Sequence, residues 1–341
     1  MVIPRIFKIK LTNKKYIVIL CISNMHNITG VLIKTFPKIA SKFLSKVCVA
    51  KFFGGKMYLL EVENLCKTYP SFSLQDVSFK IEEGYIMGFI GRNGAGKTTT
   101  LKSMLNFVKA DKGKSIINGF DISTNEIDVK KSIGFVSGTD GFYQTTKIKT
   151  ITNVTKKFFD NWNEELYRKL LSTFKLDENK KIKELSAGMK IKYQIALAMC
   201  HDAKLLILDE PTSGLDPVSR DELIMLFRDY ISDGKHSILF STHIISDLEK
   251  CADFITYIKD GKIIKSSDVC TFRDDYILVS GEKEKLSEEL KNSLIGLYEH
   301  NFGFEGLLEK DKSELAKDLQ ITKPSLEEIM VHIERQDSKL F

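Results

Sequence analysis

The chain has 341 residues, of which 43% are apolar and only 6 are proline, which fits one large globular domain or two modest ones and excludes collagen, coiled coil and wholesale disorder. Six scattered cysteines without a CxxC pair exclude a disulfide scaffold and favour a reducing compartment. The longest uninterrupted apolar run, Tyr16 to Ile22, is shorter than the ~18 to 20 residues that cross a bilayer, so no membrane-spanning segment is predicted.

The net charge of +6 comes from the first 56 residues, which hold eleven Lys or Arg and no acidic residue. Subtracting them leaves 40 basic against 45 acidic residues for 57–341, a net charge of −5. A surface that binds phosphate backbones should lie in the folded domain, so the basic isoelectric point gives little support to nucleic-acid binding. No nucleic acid partner is expected.

Residues 1–56 are predicted to be a basic leader that is disordered or not translated. Residues 54–57, Gly-Gly-Lys-Met, can be encoded as GGAGGTAAAATG, a purine-rich ribosome-binding sequence followed by a start codon. This suggests that translation starts at Met57. The alternatives are a basic arm that binds anionic lipid and a targeting presequence without a small-residue cleavage site.

Apolar strands are predicted, in chain order, at 59–62, 78–81, 85–90, 205–208 and 237–240. A helix is predicted at 98–108, and further helices within the charged stretch 142–200. The fully apolar strands imply burial on both faces, hence a parallel sheet covered by helices in an α/β fold.

The remaining segments complete the predicted domain organisation. A hairpin at 255–264 turns at Asp260-Gly261. Beyond it the chain becomes rich in Lys and Glu, and its end has apolar residues at helical spacing. Residues 57–270 are predicted as one domain, and residues 271–341 as a C-terminal accessory segment in which we find no chemistry.

Residues 91–98 match G-x-x-x-x-G-K-[ST] between a predicted strand and a predicted helix. Such a loop curls backbone N–H groups around phosphate oxygens, while Lys97 reaches the outer phosphates and the Thr98 hydroxyl can bind Mg²⁺. The predicted nucleotide contacts in this phosphate loop are Gly91, Asn93, Gly94, Ala95, Gly96, Lys97, Thr98 and Thr99.

Asp209 and Glu210 follow the buried strand predicted at 205–208, at the edge where parallel sheets carry their ligand chemistry. Asp209 there can hold Mg²⁺ through water, and Glu210 is placed to polarise a water for attack on the γ-phosphate. An apolar run before Asp-Glu is by itself weak evidence of a catalytic site. Together with the phosphate loop it is strong evidence.

From about residue 59 to 264 the chain resembles the ATP-binding subunits of ABC transporters. The resemblance implies a P-loop NTPase core with a mostly parallel sheet, an N-terminal antiparallel β subdomain, a helical signature subdomain at about 142–200 and a small C-terminal α/β appendix. Lys67-Thr68-Tyr69 is similar to the family segment whose aromatic residue stacks on adenine, which nominates Tyr69.

Further motifs follow in the family's order. Residues 185–190, Leu-Ser-Ala-Gly-Met-Lys, are similar to the family signature, whose Ser186 and Gly188 would face ATP held by a second subunit. Asp216 belongs to a segment similar to the family's post-catalytic loop at the dimer interface. Ser241-Thr242-His243 resembles the switch motif, in which His243 would contact the γ-phosphate and orient Glu210.

One position departs from the family pattern. After the strand at 133–136 a glutamine that binds Mg²⁺ is expected, but this chain has Gly138, which offers no ligand atom. Asp140, Gln144 or a water could fill this role, and coupling to a membrane partner through this loop is in question.

The resemblance implies an ATPase that binds Mg-ATP at the interface of two subunits, identical or different, and drives a separate transmembrane permease. It would then lie peripherally on the cytoplasmic face of the membrane, and the motif variants are most similar to those of exporters for antibiotics or peptides. Alternatives are a soluble ABC ATPase acting on ribosomes or DNA, and a regulatory module that holds ATP. Candidate permease contacts, which could equally be a helical core stripe, are Phe142, Tyr143, Phe158, Phe159 and Trp162.

Overall fold

The computed structural model describes residues 5–11, 14–20, 58–138 and 143–336. The strands are β1 Arg5–Leu11, β2 Lys14–Leu20, β3 Tyr58–Tyr69, β4 Phe72–Glu82, β5 Ile86–Ile90, β6 Lys112–Ile117, β7 Phe120–Asp121, β8 Ile133–Ser137, β9 Leu205–Asp209, β10 Ser237–Thr242, β11 Phe254–Lys259, β12 Lys262–Asp268, β13 Tyr276–Gly281, β14 Ile295–His300, β15 Gly303–Glu309 and β16 Gln320–Thr322. The α-helices are α1 Lys97–Met104, α2 Glu126–Ser132, α3 Ile148–Thr155, α4 Glu164–Thr173, α5 Ala187–Met199, α6 Pro217–Ile231, α7 Ile245–Cys251, α8 Val269–Asp274, α9 Glu288–Ser293 and α10 Leu326–Arg335.

The chain divides into two compact units, Met1–Met57 and Tyr58–Phe341. In the first unit β1 and β2 pair antiparallel, with Arg5 opposite Leu20. The rest of the predicted leader lies outside the described residues. None of the described helices is both long and apolar enough to cross a membrane.

The centre of the second unit is a six-stranded sheet in the order β12-β11-β5-β10-β9-β8. Its strands are parallel except β12, which pairs antiparallel with β11. Alternate residues of β9 point to opposite faces, so Leu206 and Leu208 join one buried cluster while Leu205 and Ile207 join another. Burial on both faces explains why this strand is a continuous apolar run and confirms the predicted α/β fold class.

A second sheet, ordered β4-β3-β6-β7, is antiparallel and packs its apolar face on the central sheet and α1. The predicted helix at 98–108 is shorter, ending at Met104. Asn106 takes a left-handed backbone conformation with φ of 58°, which stops the helix.

Helices α3, α4 and α5 form the helical region between β8 and β9. Their core contains three buried hydroxyls: Thr152 Oγ1 lies 2.8 Å from Tyr167 Oη and 2.9 Å from Tyr193 Oη. Burial raises the pKa of Tyr167 to about 12. The three helices are thus joined by a satisfied polar network inside an apolar cluster.

Residues beyond α8 form an antiparallel sheet in the order β14-β15-β13-β16. Leu307 and Leu308 on β15 face opposite sides, one toward the cluster that contains Ile329 and Ile333 of α10, the other toward Leu290 of α9. The closing helix α10 therefore covers one face of this sheet.

Candidate functional site

The phosphate loop joins the end of β5 to the start of α1. Gly94 and Gly96 have φ of 86° and 112°, conformations that side chains rarely adopt. A Cβ at Gly96 would also lie only 2.8 Å from the ring of Phe72, which is at the tip of the β3–β4 hairpin. Backbone conformation therefore favours glycine at both positions, and packing favours it at Gly96 as well.

Lys97 is only 5% exposed and its ammonium lies inside the phosphate loop. Nζ donates to the carbonyl oxygens of Gly91 at 2.7 Å and Arg92 at 3.3 Å, and it forms a 3.2 Å ion pair with Glu210 Oε1. Phosphate oxygens can replace these acceptors, because a buried ammonium needs anionic or carbonyl partners.

Oxygen ligands converge beside the loop. Thr98 Oγ1 donates to Asp209 Oδ2 at 2.8 Å, and Ser241 Oγ donates to Asp209 Oδ1 at 2.7 Å. Mg²⁺ prefers carboxylate and hydroxyl oxygens together with phosphate, so Thr98 and Asp209 fit this ion. Ser241 was not among the predicted site residues, although its position at the end of the apolar strand β10 was a usable signal.

Glu210 lies between two basic side chains. Its Oε2 is 2.8 Å from His243 Nδ1, while Oε1 faces Lys97. The residue has a left-handed backbone with φ of 53°, and its N–H donates to the Ser241 carbonyl at 2.9 Å. A left-handed non-glycine residue costs about 1 kcal/mol or more, and such strain concentrates at functional sites.

The other predicted residues lie around this cluster. Tyr69 is 39% exposed at the end of β3, opposite Phe72, whose ring contacts Gly96. Ser186 is exposed and caps α5 by accepting from Met189 N at 3.2 Å. Asn93 and Thr98 are exposed, whereas Gly91, Ala95, Gly96 and Lys97 are buried and Thr99 is half-buried.

Asp216 caps helix α6, because its carboxylate accepts from the backbone N–H groups of Ser219 and Val218 at 3.0 and 3.1 Å. The bond from Ser219 is the largest cause of the lowered pKa of Asp216. A Cβ at Gly188 would lie 2.6 Å from Leu215, so the signature adjoins this loop. Within the described parts of the chain, no hydrogen bond or ion pair joins Ser186, Gly188 or Asp216 to the phosphate loop.

Gly138 follows β8 at the edge of the site. A Cβ built there would meet only the Asp209 carbonyl oxygen, at 3.7 Å, which is an ordinary contact. Asp140 and Phe142 lie outside the described residues. Gln144 is described, and its carbonyl accepts from Lys183 N at 2.9 Å near the start of the helical region.

Gly138→Gln is expected to leave ATP affinity unchanged and to alter the rate of ATP hydrolysis. A Cβ at this position makes only an ordinary contact with the Asp209 carbonyl oxygen, and the amide oxygen of a glutamine can serve as an additional Mg²⁺ ligand. The measurement is ATPase activity against Mg²⁺ concentration, with Gly138→Leu, similar in size but without ligand atoms, as the control. An unchanged rate and Mg²⁺ dependence in Gly138→Gln, with and without a membrane partner, would contradict the expectation.

This arrangement has clear counterparts among known proteins. A family described as ABC transporter matches residues 74–213. The bacitracin transport ATP-binding protein BcrA of Bacillus licheniformis is 32% identical over 61% of this chain and 69% of its own length. The lantibiotic transport ATP-binding protein SrtF of Streptococcus pyogenes is 33% identical over 60% of this chain and 89% of its own length. The chain belongs to the ABC transporter ATP-binding proteins.

Solved structures agree with this assignment. The ATP-binding subunit of an ABC transporter superposes with a TM-score of 0.58 at 27% identity, over 63% of this chain and 92% of that one. A dimeric ATP-binding cassette bound to ADP and Pi superposes with a TM-score of 0.55 at 21% identity, over 62% of this chain and 98% of that one. This match shows a likeness of fold.

Family membership confirms several predictions made from the sequence. The chain is an ATPase of the ABC transporter family that uses ATP with Mg²⁺, and its P-loop NTPase fold is the predicted one. ATP-binding subunits of this family work with transmembrane permeases.

Proposed function

We propose that the cluster of Lys97, Thr98, Asp209, Glu210 and His243 is the ATP-hydrolysing site of an exporter subunit. The observation that carries this proposal is the continuous contact chain from Thr98 through Asp209 to Ser241, and from Lys97 through Glu210 to His243. These groups come from the loop after β5 and from the ends of β9 and β10, where a parallel sheet carries its chemistry.

Each side chain has one role in this proposal. Lys97 and the loop hold the β- and γ-phosphates, and Tyr69 stacks on the adenine. Bound Mg²⁺, held through Thr98 and Asp209, neutralises charge on the phosphates. Glu210 accepts the proton of the attacking water, while His243 orients the carboxylate at 2.8 Å.

A second ATP-binding subunit, either a copy of this chain or a related one, completes the site. Ser186 at the exposed N-terminus of α5 can donate its hydroxyl to the γ-phosphate held by the partner. Gly188 and Asp216 lie at the same face because Gly188 packs on Leu215. Two ATP molecules then join the subunits, and hydrolysis separates them.

A groove of about 370 Å³ supports a contact with the permease. It runs between β8, which leads to Gly138, and the helical region, and its lining includes Phe135, Phe159 and His201. The Phe159 and His201 rings stack at 3.9 Å, and burial lowers the pKa of His201 to about 4, so the imidazole is neutral near pH 7.

The aromatic residues of the predicted permease contact differ in exposure. Tyr143 and Phe158 are exposed, which suits a contact surface. Phe159 and Trp162 are half-buried, and Trp162 packs against the core cluster. In our proposal Tyr143, Phe158 and the groove lined by Phe159 contact the permease, and Trp162 belongs to the helical core.

The names of two relatives support the proposed class of cargo. BcrA and SrtF are named as bacitracin and lantibiotic transport proteins, which supports export of an antibiotic, a peptide or another small molecule by this chain. In our proposal residues 57–270 form the ATPase domain, residues 271–341 form an accessory domain, and the protein lies peripherally on the cytoplasmic face of the membrane beside a separate permease.

Purification of the tagged chain from its native host tests this proposal. A polytopic membrane protein should copurify, and it should be lost on Phe158→Asp because the exposed aromatic ring is replaced by a charge. The control is Lys157→Asp, which introduces the same aspartate at the exposed residue that precedes Phe158. Copurification of ribosomes or DNA in place of a membrane protein would contradict the proposed function.

A further inference from the structure

The closing helix α10 is attached to the strand that supports the phosphate loop. Lys259 Nζ, at the end of β11, donates to the Ile333 carbonyl at 2.8 Å. Tyr257 Oη, also on β11, donates to Glu334 Oε1 at 2.6 Å. Tyr257 and Lys259 are both buried, so these bonds fix the last turn of α10 on the ATPase domain.

Strand β11 also shapes the phosphate loop itself. A Cβ at Gly91 would lie 2.4 Å from the Ile258 carbonyl oxygen, so strand and loop are in close backbone contact. After β11, Gly261 N donates to the Ala95 carbonyl at 3.0 Å. The loop therefore rests on the same strand that holds the closing helix.

One side chain of α10 reaches the loop directly. Glu334 Oε2 lies 3.7 Å from Arg92 Nη1, and Arg92 is the second residue of the motif. The Arg92 carbonyl accepts from Ala95 N at 3.1 Å and from Lys97 Nζ at 3.3 Å. Glu334 thus faces the residue whose backbone forms the first turn of the loop.

The two carboxylate oxygens of Glu334 have different partners. Tyr257 donates a hydrogen bond to Oε1, and this bond orients Oε2 toward Arg92. The Glu334 side chain is 15% exposed against 66% for Arg92, so the carboxylate is the fixed partner and the guanidinium the mobile one. Ordering a mobile side chain in advance of binding lowers the entropy cost of binding.

We propose that Glu334 is a positioning residue of the nucleotide site: it holds Arg92, and with it the first turn of the phosphate loop, in the conformation that receives ATP. The accessory segment thereby tunes ATP affinity without touching the nucleotide. This inference rests on the proposed placement of ATP at the phosphate loop.

The test is Glu334→Gln, which keeps an acceptor for Tyr257 and removes the charge that faces Arg92. We expect a rise of about two- to fivefold in both the Kd for Mg-ATP, measured by calorimetry, and the KM of the ATPase, as suits a partly exposed ion pair, with kcat unchanged. If Glu334 contributed only to stability, Glu334→Gln would change thermal unfolding but would not raise KM while leaving kcat unchanged.

A double-mutant cycle with Arg92→Ala shows whether the effect passes through Arg92. In the Arg92→Ala background, Glu334→Gln should change the Kd no further. Glu327→Gln, an exposed carboxylate on the same helix, is the matched control and should leave the Kd at the parent value.

Three results would overturn the proposal: an unchanged Kd in Glu334→Gln, an equal shift in Glu327→Gln, or a Glu334→Gln effect that persists without Arg92. Lys97→Met separates the inference from the site on which it rests. If Lys97→Met binds ATP as the parent does, the nucleotide is not at this loop and both assignments fail. If Lys97→Met loses binding while Glu334→Gln binds normally, only the positioning role fails.

Discussion

Lys97→Met is expected to raise the Kd for Mg-ATP about 100-fold or more and to abolish measurable ATPase activity. Methionine keeps an unbranched stem in the buried position but removes the ammonium. Losing a charge-assisted hydrogen bond to phosphate costs about 3 kcal/mol, which corresponds to about two orders of magnitude in affinity. Calorimetric titration with Mg-ATP and a phosphate-release assay measure the two quantities.

Lys102→Met is the matched control, because Lys102 is a lysine in the last turn of the same helix, whereas Lys97 is at its first position. It should bind and hydrolyse ATP as the parent chain does. Parent-like affinity in Lys97→Met, with thermal unfolding unchanged, would show that ATP does not bind at this loop.

Glu210→Gln is expected to lower kcat by a factor of about 10² to 10⁴, the range typical of losing a general base, while ATP binding is retained or strengthened. The amide fits the same left-handed backbone and can still contact His243. It also removes the carboxylate that pairs with Lys97, which frees the ammonium for phosphate. Single-turnover hydrolysis of radiolabelled ATP measures this rate.

The matched control for that change is Glu222→Gln, which alters an exposed carboxylate of α6 that pairs with Lys192. Its kcat should equal that of the parent. A Glu210→Gln variant that hydrolyses ATP within about threefold of the parent rate would assign the base to another residue.

Much of the central domain could be predicted from the sequence, because burial of a strand determines the local pattern of its apolar residues. A strand covered on both faces is mostly apolar, and β9 and β10, buried at every position, are apolar at 205–208 and 238–240. Parallel strands bring their carboxyl ends to one edge, which is why Asp209 and His243 could be expected near a loop more than a hundred residues earlier in the chain.

Contacts between distant segments carried no such local signal. Nothing in the sequence indicates that Glu334 would face Arg92. Likewise, Phe159 and Trp162 lie three positions apart in one short segment, but Phe159 stacks on His201 and Trp162 packs near Tyr167. Such pairings are decided by tertiary packing, which periodicity cannot specify.

The positive φ of Glu210 has a similar origin. Its conformation is imposed by β10, through the bond from Glu210 N to the Ser241 carbonyl, and by the turn in which Ser213 N donates to the Glu210 carbonyl. No residue-type preference predicts a left-handed glutamate, because the strain is offset by contacts made elsewhere in the fold.

We propose that Glu210 activates water for hydrolysis of ATP held at Lys97 only when a second subunit closes the site. Size-exclusion chromatography of Glu210→Gln with Mg-ATP, coupled to light scattering and nucleotide extraction, tests it most directly. We expect a dimer that carries two unhydrolysed ATP molecules, and a monomer when Lys97→Met is added. A Glu210→Gln chain that stays monomeric with bound ATP, while the parent hydrolyses ATP at the same concentration, would show that hydrolysis needs no second subunit.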